Sequence, residues 1–157
     1  MAHRLKPSMV QNRPMPVVLR PALHQDFDYC RRLYFAEMRW IIEKLLLDEA
    51  AQEIGFQKQW DPTQVRIIKL DGVDIGWLQT IAQDDTLFVA QMFVDRPFQR
   101  RGIGTQVIKR LIGEGAQRHQ TVRLNVVKIN PARRLYERLG FEVTHEDDRK
   151  FYMKLDP

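Results

Sequence analysis

With 157 residues, 44% of them hydrophobic and 29% charged, the chain is sized for one domain, and a globule of that length buries about two-thirds of its unfolded surface. Ordinary glycine and proline contents, with no run approaching ~18 apolar residues, exclude collagenous, disordered and membrane-spanning classes. The net charge of +5 suits nucleic acid, acidic lipid or a phosphorylated small molecule alike and does not separate them.

Residues 1–16 alternate basic and polar residues around Pro7, Pro14 and Pro16, the pattern of a mobile arm or edge-covering strap ahead of a single domain at 17–157. VVLR is a short strand ended by Pro21, and Phe27, Cys30, Tyr34, Met38, Ile41 and Leu45 form one apolar stripe. That spacing predicts a long helix, interrupted near Asp48 and ending around Gly55. QVRIIKL and VDIGWLQTI read as strands about Asp71-Gly72, a pair suited to the positive φ of a tight hairpin. Asp84-Asp85 turns the chain into the strand TLFVAQMFV.

A helix over 102–118 repeats Ile103, Val107 and Leu111 on one face, followed by the strand TVRLNVV. In NPARRLYERLGF, Asn130 is placed to cap a helix, Pro131 to open it and Gly140 to stop it. FEVTH and KFYMKL finish as strands around Glu146-Asp147-Asp148. The order β-α-β-β-β-α-β-α-β-β describes an α+β domain with a mixed, mainly antiparallel sheet.

Several chemistries have no carrier. Ser8, the one serine, falls in the arm, and Cys30, the one cysteine, lies on the apolar stripe, so a covalent acyl-enzyme has no candidate. A lone cysteine permits no intramolecular disulfide and fits a reducing, cytoplasmic setting. His3, His24, His119 and His145 lack metal-ligand spacing, and no metal is expected. The N-terminal stretch lacks the apolar core of a signal peptide, and no membrane association is expected. Nor does the chain show a nucleic-acid motif, so no nucleic-acid partner is expected despite the charge.

QRRGIG, residues 99–104, stands between a strand and a helix. A helix beginning at Gly102 leaves its first amides unpartnered at the positive end of the helix dipole, a site for an anion. Gly102 and Gly104 leave the backbone open, and Arg100 and Arg101 add charge. The stretch is neither of two familiar phosphate loops: Thr105-Gln106 follows Gly104 where a Walker loop needs Lys-Ser or Lys-Thr, and Val107 occupies the place of a dinucleotide fingerprint's third glycine.

VDRPFQRRGIGTQVIKRLI resembles the acetyl-coenzyme A motif of the GNAT N-acetyltransferase superfamily, Gln/Arg-x-x-Gly-x-Gly/Ala, with Gln99, Gly102 and Gly104 matching. NPARRLYERLGFE is similar to the same superfamily's other signature, an Asn near Ala, then Leu-Tyr, then Gly-Phe. The resemblance covers roughly Val17 to Leu155. It implies a GNAT-like sheet of about six to seven strands flanked by helices, with splayed central strands forming an acyl-coenzyme A cleft. It also implies that Met92, Phe93 and Val94 offer backbone groups to the pantetheine arm. Gln99, Arg100, Arg101, Gly102, Ile103, Gly104 and Thr105 would then hold the diphosphate. Asn130 carries over as a cofactor ligand one position after the family's usual place, which Ile129 occupies.

The activity implied is N-acetyl transfer from acetyl-coenzyme A to a primary amine, on a small molecule or a protein, by direct attack. Tyr136 carries over as the general acid toward the leaving thiolate. An alkylamine is only about one part in a thousand neutral near pH 7, so a base or desolvation must offset roughly 4 kcal/mol. Leu124-Asn125-Val126 and TLFVAQMFV hold no carboxylate, leaving Glu37 on the flank of the first helix's apolar stripe as the candidate base, with Glu142, after Gly140-Phe141, as a second one that could reach the acceptor side. Trp40, Phe56 and Trp60, together with Glu37 and the turn 146–148, are the expected acceptor surface, aromatics beside acids suiting a cationic amine. The empty base positions also keep open an acyl-coenzyme A-binding regulatory module without catalysis. A homodimer carries over from the family as an expectation, with no dimer seam legible in the sequence.

Overall fold

The computed structural model describes residues 16–157, so the expected arm at 1–16 lies, but for Pro16, outside the described residues. Among the described residues, seven strands form one sheet: β1 (Val17–Pro21), β2 (Val65–Leu70), β3 (Val73–Gln83), β4 (Thr86–Val94), β5 (Thr121–Val127), β6 (Glu142–Glu146) and β7 (Lys150–Leu155). Their spatial order is β1-β2-β3-β4-β5-β7-β6, with every neighbouring pair antiparallel except β4 and β5. This is the mixed, mainly antiparallel α+β sheet that the sequence pattern implies.

Four helices cover the sheet: α1 (Phe27–Lys44), α2 (Glu49–Gln59), α3 (Ile103–Gln117) and α4 (Arg133–Arg138). Period-2 alternation in the strands sorts their side chains onto two faces. Val65, Ile67 and Trp77 pack with Cys30, Leu33, Tyr34 and Phe56 of α1 and α2. Ile68, Leu78, Leu124, Val126 and Met153 pack with Ile103, Val107, Ile108 and Leu111 of α3. A helix layer on each face therefore buries both sides of the central strands.

The interruption expected near Asp48 is present, whereas two helix boundaries differ from the pattern. Leu46 takes a positive φ of 52° and Asp48 starts a new helix by accepting from the Ala50 N–H at 3.1 Å. Gly55 consequently lies inside α2 instead of ending it. At the other boundary, Asn130 Oδ1 accepts from the Ala132 N–H at 3.0 Å, but that contact closes a turn through Pro131 and the helix begins only at Arg133. The stop at Gly140 does hold. With φ of 102° at Gly140, the Gly140 N–H donates to the Glu137 carbonyl and the Phe141 N–H to the Tyr136 carbonyl, both at 3.0 Å. This paired closure is completed by an apolar contact across it, the Tyr136 and Phe141 rings meeting edge to face at 5.9 Å.

Arg20 ties the edge of the sheet together, donating at 2.9 Å to each oxygen of Asp26 and at 3.1 Å to Asp74. Asp26 is only 8% exposed, and the guanidinium holds its carboxyl below the ordinary carboxylate range. A carboxyl whose folded pKa is depressed adds stability above its unfolded pKa, near 3.9, and loses it as pH falls through the folded value. The Arg20→Met variant is expected to lose about 3 kcal/mol at pH 7, because the buried carboxylate loses its partner. Urea titrations at pH 7 and pH 3 check this, the deficit shrinking at the lower pH.

Candidate active site

The parallel pair β4/β5 is hydrogen-bonded only from Thr86↔Thr121 to Val89↔Leu124. One residue further, Ala90 is an extra residue in β4: the register against β3 slips between Gln79↔Gln91 and Thr80↔Val89. A bulge of this kind bends its strand and increases its twist, which carries the rest of β4 away from β5. Meanwhile β5 continues alongside β7 as far as Val127↔Lys150. From Ala90 onward, the edge of β4 that faced β5 therefore has no strand partner among the described residues.

A cavity of about 780 Å³ fills the gap, bordered by Met92 and Phe93 on one side and Asn125, Val126, Asn130 and Tyr136 on the other. Met92 and Phe93, the residues expected along the pantetheine arm, border this cavity. Val94 does not border the cavity, and its carbonyl accepts from the Gln99 side-chain amide at 2.8 Å. The same amide nitrogen donates to Glu37 Oε2 at 2.8 Å, so Gln99 links the end of β4 to α1. Glu37 is held at that link and does not border the cavity, which separates it from the Tyr136 side of the cleft.

Beyond Val94 the chain passes through a short 3-10 turn at Arg96–Phe98 and reaches α3. Arg100 has φ of 61° and Gly102 φ of 77°, a left-handed geometry that costs residues other than glycine about 1–2 kcal/mol. Gly102 occupies the N-cap of α3, where no side chain caps the helix. The first N–H in the ladder is that of Gln106, donating to the Gly102 carbonyl at 3.1 Å, so the amides of Ile103, Gly104 and Thr105 have no partner within the helix. The Ile103 side chain is buried in the core and offers only its backbone outward. A Cβ at Gly104 would meet nothing closer than Met92 Cε at 3.8 Å. The protein thus leaves this spot open beside a residue of the cleft. Arg100 and Arg101 are exposed around it, the Arg101 guanidinium lying 5.6 Å over the centre of the Phe98 ring. Unpartnered amides, a positive helix end and two guanidinium groups suit a diphosphate.

Tyr136 sits on the far wall of the cleft, its ring fixed by Phe141. Burial pushes its phenol above the ordinary tyrosine value, so the hydroxyl keeps its proton across the physiological range. Cys30 is fully buried and burial pushes its thiol up to about 12, the opposite of an activated nucleophile.

The expected acidic acceptor surface is not assembled. Asp147 turns inward on its own loop, accepting from the Arg149 and Lys150 amides at 2.8 and 2.7 Å and from the Tyr152 hydroxyl at 2.7 Å. These bonds, led by the Tyr152 hydroxyl, lower its carboxyl to about 2. Trp40 is exposed away from the cavity, while Phe56 and Trp60 border a second, smaller pocket. Among the described residues bordering either cavity there is no Asp, Glu or His; the charged ones are Arg149 and Lys150. The cavity is also bordered by Gln79, Gln91 and Asn125, which the sequence did not single out; the buried Gln79, in an otherwise apolar stretch of β3, carried the one signal.

The fold recurs in solved structures of low sequence identity. PaiA N-acetyltransferase from Thermoplasma acidophilum, in complex with coenzyme A, superposes with a TM-score of 0.74 at 14% identity, over 91% of this chain and 100% of that one. An N-acetyltransferase from Staphylococcus aureus gives 0.68 at 14% identity over 88% and 100%. Ard1 from Thermoplasma volcanium gives 0.63 at 18% over 89% and 97%. No curated protein matches the sequence. The sequence profile of the acetyltransferase (GNAT) family matches residues 27–141, most of the domain and both motif stretches, and the chain belongs to that family.

Proposed function

We propose that the protein transfers an acetyl group from acetyl-coenzyme A to a primary amine, with Tyr136 as general acid. The observation that carries this reading is the continuity of the unpaired edge of β4 beyond Val89 with the uncapped amides of α3. An extended amide-containing chain pairs with such an edge as a strand would, and its diphosphate then meets Gly102 to Thr105. Arg100 and Arg101 screen the phosphate charge, and Asn130 faces the cavity beside Tyr136. Gln99 acts as a brace that sets the bend after Val94.

In the chemical step the acceptor's nitrogen lone pair forms a bond to the acetyl carbon as the carbon–sulfur bond breaks. Tyr136 Oη–H gives its proton to the leaving sulfur and regains one from solvent, while nitrogen sheds its surplus proton to water. Glu37 serves this step only through the brace with Gln99, since its carboxylate accepts from that amide and does not border the cavity.

The absence of a carboxylate from the described cavity lining favours one competing reading, a module that binds acyl-coenzyme A without catalysis. Calorimetric titration with acetyl-coenzyme A, followed by thiol release with a panel of amines, tests both. Saturable one-to-one binding with acetylated product is the expected result. Binding without product from any amine supports the competing reading, and no binding overturns both.

A further inference from the structure

A pocket of about 220 Å³ opens beside the cleft between α1, α2 and β3, sharing Tyr34, Gln52, Gln59, Gln79 and Gln91 with the larger cavity. Four rings border it, Tyr34, Phe56, Trp60 and Trp77. Tyr34 stands edge to face with Phe93 of β4 at 5.5 Å, which sets this pocket on the α1 side of the thioester path. A cavity of about 150 Å³ suffices for a benzene ring, so this one takes a ring with room for a substituent. The polar side chains around the rings are amides, without formal charge.

Two further facts bear on the amine itself. With no carboxylate on either described cavity wall, and with Arg149 and Lys150 beside the larger one, a second cationic centre on the acceptor meets repulsion and no counter-charge. With no side chain there to remove a proton, turnover depends on the fraction of amine already neutral. That fraction is about one part in a thousand for an alkylamine near pH 7.4, and about a quarter for an α-amino group of pKa near 7.8.

Resting on the acetyl-transfer reading above, we infer that the acceptor is a weakly basic primary amine on a small aromatic body, and not a polyamine or a lysine side chain. The ring enters the pocket of Tyr34, Phe56, Trp60 and Trp77. The amine points along Gln91, which borders both cavities, toward the cleft.

Four probes separate the features. Phenylalaninamide has both ring and weak base, alaninamide only the weak base, phenethylamine only the ring, and spermidine neither. Phenylalaninamide is expected to exceed each of the other three in kcat/KM by about tenfold or more at pH 7.4. Equal or faster turnover of alaninamide, phenethylamine or spermidine overturns the inference. Gly55 borders the pocket and a Cβ there meets nothing within 4 Å, so Gly55→Leu fills the space while favouring the helix. In that variant the phenylalaninamide-to-alaninamide ratio is expected to fall about tenfold, with melting temperature and acetyl-coenzyme A affinity retained. An unchanged ratio in a folded, cofactor-binding variant overturns the inference. Acetyl-coenzyme A binding measured in the same preparations keeps the two readings apart: its absence removes the acetyl-transfer reading, whereas binding with the wrong acceptor order removes only this one.

Discussion

Replacing Tyr136 with phenylalanine is expected to lower kcat by about 10²- to 10⁴-fold, with acetyl-coenzyme A affinity changed by less than about twofold. The ring is held by packing and not by its hydroxyl: Phe141 meets it edge to face, and the Gly140 closure fixes the helix end that carries it. Phenylalanine keeps that packing, so the loss isolates the proton. Because burial raises the phenol's pKa, the acid form persists above the ordinary tyrosine value near 10. The kcat profile of the parent protein should therefore show no fall from Tyr136 ionisation below about pH 10. Single-turnover rates across pH with a saturating amine measure both effects. Turnover by the phenylalanine variant equal to that of the parent would assign the proton to solvent.

Gly104→Val carries the second large effect, an increase of about 30-fold in the acetyl-coenzyme A dissociation constant, equivalent to about 2 kcal/mol. The protein itself leaves room for the side chain, whose Cβ meets only Met92 Cε at 3.8 Å. Valine is also a better helix former than glycine, and the melting temperature should move by less than about 3 °C. Bulk is thus added where a diphosphate would approach the amides of Ile103 and Thr105, without strain elsewhere. Calorimetry and thermal melts on the same sample decide it. Unaltered affinity in a folded variant would move the phosphate site away from the start of α3.

Local pattern carried the elements a long way. TLFVAQMFV, TVRLNVV and KFYMKL are strands to the residue, because their alternation matches a sheet with a buried face. The break between α1 and α2 was legible at Asp48, which caps the second helix, but its end was not, since Gly55 is carried inside α2 and the helix runs on to Gln59. Asn130-Pro131 reads as a helix start, yet the same side-chain bond closes a turn first, and sequence does not distinguish the two.

At the cleft the difference is one of range. Glycines in QRRGIG announce a turn that favours an anion, a property of neighbouring residues. The divergence of β4 from β5 depends on a bulge at Ala90 and on pairings with distant strands, which no window of sequence contains. Distance misled the acidic reading in the same way. Asp147 and Glu37 have suitable chemistry, but Asp147 binds its own loop and Glu37 binds Gln99.

The four-pair seam between β4 and β5 has a mechanical consequence. Two half-sheets, β1 to β4 and β5 to β7, are joined edge to edge over a short stretch and gape like a clothes-peg beyond it. A guest with amide groups lying in the gape acts as a surrogate strand, so loading the site and stiffening the sheet are one event.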